Sequence, residues 1–145
     1  MKKFTFPLGR VMDFRRMQAQ IEEVKLESFY AQLRALDTRE VALIEQGAQS
    51  EKALKAAASV SGEELERFSA YRSAAKAEQK RMDRARAECR KNIDAQLAVV
   101  TAKRREVKLL ERLKEQRFDK WEKEMFKEVD QQAEEVYLAK WSVNG

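Results

Sequence analysis

A chain of 145 residues with four Gly and one Pro is at most one domain, and it lacks the turn punctuation that a many-stranded sandwich or barrel needs. Charged residues make up 38% and apolar ones 43%, too apolar for disorder and close to the balance of long helices. With net charge +5, no His and one Cys, Cys89, the composition leaves no disulfide pair and no ligand cluster for a structural zinc, so neither metal nor cofactor is expected.

The first helix is predicted over about residues 7–57. Pro7 suits a first helical turn, where its missing amide costs nothing. Leu8, Val11, Met12, Met17, Ile21 and Val24 then supply an apolar face, continued by Leu26, Phe29, Leu33, Leu36, Leu43 and Ile44. Gly47 and Ala56 to Ala58 weaken the pattern, and a turn is placed at about 58–61. Ser61 and Glu64 form a capping box, with Val60 and Leu65 at the two positions of a hydrophobic staple. A second helix therefore starts near residue 62.

Between Glu63 and Asn144 there is no Gly or Pro, so this helix is predicted to run to about residue 140. Leu65, Phe68, Ala75, Met82, Cys89, Ile93, Val100, Val107 and Leu110 mark an imperfect heptad, with polar Arg72, Gln79, Arg86 and Arg104 at intervening positions. Two long helices with a short connection return antiparallel. The predicted fold is all-α, a single domain over 1–145 in which two long helices form an antiparallel coiled-coil hairpin. The first helix should pair with about 62–112, and the last 25 to 30 residues of the longer second helix overhang.

That overhang carries Phe118, Trp121, Met125, Val129 and Val136, together with Phe126, Tyr137 and Trp141. Two placements stay open for these side chains. They form a docking surface for another protein, or they pack on the entry segment through Phe4, Phe6 and Leu8.

Two helices enclose no pocket that would keep water from a base or nucleophile, so no enzyme is expected. Net charge by segment is +4 over 1–16, −3 over 17–75, +7 over 76–117 and −3 over 118–145. Nucleic acid is not an expected partner of the basic run, because seven acids are interspersed in it and it lacks stacking aromatics. No stretch approaches the roughly 18 apolar residues of a membrane span, and the basic start is not followed by an uncharged run, so a cytoplasmic protein is expected.

Phe4-Thr5-Phe6-Pro7-Leu8-Gly9-Arg10-Val11-Met12, followed by Arg15, resembles the opening of the FliJ family of flagellar export proteins. Leu109-Leu110-Glu111-Arg112-Leu113-Lys114-Glu115-Gln116-Arg117, then Trp121, Glu124, Glu128 and Asp130, is similar to that family's C-terminal segment. The resemblance implies a non-enzymatic component of the flagellar type III protein export apparatus, similar in shape to the two-helix shaft of the F-type ATPase gamma subunit. It implies three partners: the hexameric export ATPase FliI, the cytoplasmic domain of the export gate FlhA, and export chaperones. It also implies peripheral association with the inner membrane at the flagellar base.

On this resemblance Phe4, Phe6, Leu8, Arg15, Leu113, Arg117 and Trp121 form the ATPase-facing end, apolar members giving contact area and Arg residues steering. Tyr71 matches an aromatic position of the family's gate contact, whereas Asp37, Val41, Ile44 and Ala48 do not keep its first-helix residues. A pair of helices is roughly 20 Å across, narrow enough for a ring's opening. Two other classes of function remain: a structural coiled-coil scaffold or homodimer, and a basic helix that binds nucleic acid or a membrane surface. Weak self-association is expected where apolar surface stays bare.

Overall fold

The computed structural model describes residues 2–144, so Met1 and Gly145, the ends of the expected domain, lie outside the described residues. It is an all-α antiparallel coiled-coil hairpin of two helices, α1 over Gly9–Ala56 and α2 over Gly62–Asn144. At 1.5 Å per residue these run to roughly 70 and 125 Å. Contacts group the chain into two units, one from Ile21 to Val100 and one made of the residues up to Gln20 with those from Thr101 onward.

Helix α1 starts two residues later than Pro7 suggests. The Gly9 amide donates to the Phe6 carbonyl at 3.0 Å, closing a turn over Pro7 and Leu8, and the first α-helical bond runs from the Met12 amide to the Leu8 carbonyl at 2.9 Å. Pro7 has φ suited to a turn as much as to a helix, and here it takes the turn. At the other connection Ser61 caps α2, its hydroxyl accepting from the Glu64 amide at 3.2 Å. The second half of the box does not form, since the Glu64 carboxylate has no partner among the described residues. Leu65 is exposed and Val60 half-buried. Glu63 and Glu64 still complement the positive helix start. The helix continues past the expected end near 140 to Asn144.

In the Ile21–Val100 unit, burial on α1 recurs in strict steps of four and three: Glu22, Leu26, Phe29, Leu33, Leu36, Glu40, Leu43 and Gly47. Leu26, Cys89, Ile93 and Val100 form the buried cluster, with Phe29, Tyr30, Leu33 and Leu36 packed against it. Cys89 lies on this seam as a small apolar residue, its thiol donating to the Phe29 carbonyl at 3.3 Å. The direction of pairing is read from polar contacts: Gln96 reaches Glu22, Arg86 reaches Asp37 and Glu40, and Glu78 meets Arg39.

Ile21, Val24 and Ile44, assigned from sequence to the apolar face, are exposed in this unit, as are Val11 and Met17 in the other. The reason is geometric. Helix α1 carries two apolar stripes on opposite sides, and the one that keeps the seven-residue period becomes the seam, even though it includes Arg15, Glu22 and Glu40. On α2 the seam likewise takes Gln96, whose amide donates to the Glu22 carbonyl at 2.9 Å and carboxylate at 2.6 Å. Arg72 and Arg104, which the sequence pattern placed on the seam, are exposed.

Gln32, Cys89, Leu36 and Asn92 line one groove. A Gln32→Cys variant is therefore expected to form a disulfide with Cys89 inside one chain on mild oxidation, read as a non-reducing gel shift without dimer. Cross-links found only between chains would contradict the antiparallel register.

Candidate functional site

Residues 2–6 have no regular secondary structure, and in the unit that joins the two ends of the chain they run antiparallel to α2. Phe4 meets Phe118 edge to face with ring centroids 5.2 Å apart and lies 5.9 Å from Trp121; Phe118 and Trp121 are 5.7 Å apart. Such pairs contribute about 0.5–1.5 kcal/mol each beyond their area. The indole N–H of Trp121 donates to the Lys2 carbonyl at 3.1 Å and so ties down a backbone that has no helical partner of its own. Next to the cluster, the Arg117 guanidinium sits 5.8 Å from the Phe6 ring.

Of the expected ATPase-facing residues, Phe4 and Trp121 are in direct contact, and so are Phe6 and Arg117. Leu8 and Leu113 are half-buried. Arg15 is turned to its own chain, donating to Gln18 at 3.2 Å and pairing with Glu106 at 3.3 Å. Arg117 is exposed and has no carboxylate partner among the described residues, so the long-range field of this end rests more on Arg117 than on Arg15.

Phe118 was not among the expected ATPase-facing residues although it touches both Phe4 and Trp121. Its spacing of three from Trp121 places both on one face, but nothing local to it shows that the chain's opening residues return there. The packing also settles where α2 becomes bare. Phe118, still 42% exposed, and Trp121 pack on Phe4 of the entry segment, Met125 is half-buried, and residues 126–143 are exposed throughout. On this arm Phe126, Val129, Val136, Tyr137, Leu138 and Trp141 present large apolar side chains to solvent.

Tyr71 belongs to the other unit. It is half-buried and lines an open groove of about 250 Å³ with Leu43, Ile44, Phe68 and Ala75. Gly47 also lines this groove, and a Cβ there would meet nothing within 4 Å. Arg72 lies 6.0 Å over the Phe68 ring beside it. This is a concave apolar surface with a cationic edge.

Among the described residues no three or more acidic, His or Cys side chains gather as a metal site, and no helix is long and apolar enough to cross a membrane. No protein-family model, no curated protein and no solved structure matches this chain.

Proposed function

We infer that this chain is a non-enzymatic, stalk-like component of a flagellar-type protein export apparatus, which engages a FliI-type ATPase ring and couples it to a FlhA-type gate while also meeting export chaperones. One observation carries the reading. The two segments that resemble the FliJ family, at opposite ends of the sequence, pack on each other as Phe4 against Phe118 and Trp121 and as Phe6 against Arg117. Two motifs joined this way share one role, whereas a generic scaffold has no need to bring its ends together. The gate contact is assigned to the groove beside Tyr71.

An Arg117→Glu variant tests this, because Arg117 is exposed and its charge is reversed without opening the seam. Capture of a purified FliI-type ATPase in a pull-down is expected to fall by roughly tenfold. Arg81→Glu, an exposed charge reversal in the other unit, should leave capture unchanged. Equal capture by wild type and Arg117→Glu would overturn the assignment of this end.

A further inference from the structure

We propose that the bare arm, residues 126–143, docks on the outward face of the start of α1 in a second copy of this chain, each copy receiving the arm of the other. The arm is five helical turns, roughly 27 Å long. It exposes Phe126, Val129, Val136, Tyr137 and Trp141. Large apolar side chains gathered on one exposed helical arm mark an interaction site. In the same unit α1 exposes a second apolar face: Val11, Phe14 and Met17 are 43%, 54% and 59% exposed and point away from the seam that holds Met12 and Ala19.

Charge selects the occupant. Residues 118–145 carry −3 and residues 1–16 carry +4; within 1–16, Arg15 and Arg16 pair with Glu106 and Glu111, which leaves Lys2, Lys3 and Arg10 as the cations without an acidic partner among the described residues, beside the exposed Asp13. On the arm itself the acids are Glu128, Asp130, Glu134 and Glu135 against Lys127 and Lys140. Two arms laid together would set acid against acid, so arm-to-arm pairing is opposed. The α1 start offers Arg10, which has no acidic partner among the described residues, beside the exposed Phe14.

The arm cannot satisfy that face within its own chain. It is the continuous extension of α2, with neither Gly nor Pro between Glu63 and Asn144 to let it fold back. One helix laid on another is a small contact, and a two-fold arrangement uses it twice, which brings the buried area toward the roughly 1,200–2,000 Å² of stable interfaces. The inference stands apart from the export reading, and its test uses the purified chain alone, so either can fail without the other.

The experiment is analytical ultracentrifugation of the full chain over a micromolar concentration series at low and high salt. A monomer–dimer equilibrium is expected, weaker at high salt because the opposed charges are exposed. Phe14→Glu and Val136→Glu should each weaken it by roughly tenfold or more, while circular dichroism shows unchanged helicity, since both side chains are solvent-facing. In a Cys89→Ala background, chains carrying Phe14→Cys mixed with chains carrying Tyr137→Cys should cross-link to each other. A strictly monomeric chain overturns the proposal. So does a dimer that tolerates Phe14→Glu, or self-cross-linking of Tyr137→Cys chains in place of the mixed product, because both mean that the arms pair with themselves.

Discussion

Val100→Asp is expected to lower the unfolding midpoint by roughly 10 °C or more, while Val99→Asp next to it leaves the midpoint within a few degrees. Val100 is 1% exposed and closes the buried cluster with Leu26, Cys89 and Ile93; Val99 is 39% exposed. A carboxylate at position 100 loses its hydration inside the cluster, which pairing with Lys103 one turn on would offset only in part, and the lost apolar contacts add to that. Together these cost about 3 kcal/mol or more. Set against a typical folding free energy of about 5–15 kcal/mol, the change is large. Circular dichroism melts of the two variants side by side make the check. Equal midpoints would mean that position 100 is not enclosed and that the seam does not run where the burial pattern puts it.

Arg86 governs the second expected result. Its guanidinium is 14% exposed on the seam, where Nε donates to Asp37 at 3.1 Å, Nη2 pairs with Glu40, and Nη1 lies 3.6 Å from Asp83. Asp37 and Asp83 are more than half exposed, so solvent screens them and each contributes little. Glu40 is 25% exposed and also accepts from the Gln79 amide at 3.0 Å. Arg86→Leu removes the cation that pairs with all three acids and is expected to destabilise by about 1–3 kcal/mol.

Adding Glu40→Leu should recover most of that loss, because it replaces the polar layer with leucines that suit a coiled-coil seam, and Gln79 keeps Asp83 as an acceptor at 3.2 Å. What the double variant should lose is register. A leucine seam accepts a shift by one heptad that a charged layer opposes, so in the Gln32→Cys background the yield of the intramolecular disulfide with Cys89 should fall. Urea melts of the single and double variants, with the cross-linking yield, decide the matter. A double variant no more stable than Arg86→Leu would show that the layer is held by packing and not by charge.

The helical class, the two helices, a reversal at about residues 58–61 and the longer second helix were all legible along the chain. Each follows from a local rule: few Gly and Pro, Ser61 as a cap, Leu and Val recurring at helical spacing. Which of two stripes on α1 becomes the seam was not legible in the same way. Val11, Met17, Ile21 and Val24 read as well as Met12, Ala19 and Leu26 when a helix is considered alone, because apolarity within one helix carries no information about its partner. The choice is made by pairing along α2, and it admits Arg15, Glu22, Glu40 and Gln96 where a local reading expects apolar residues, since each finds a polar partner across the seam, whereas Gln79 and Arg86 already fell on seam positions of the α2 heptad.

The aromatic end shows the same division. Phe4, Phe6, Phe118 and Trp121 were recognisable as side chains that water disfavours, and two destinations were open to them. Only the antiparallel return of residues 2–6 along α2 puts Phe4 on Phe118 and the Lys2 carbonyl on the Trp121 indole, and so moves the start of the bare arm to Phe126. Spacing in the chain decides what each segment can become, because helix propensity, caps and periodicity act over a few residues. Contacts between residues about a hundred positions apart decide which surfaces remain for a partner, because burial is a property of two segments together.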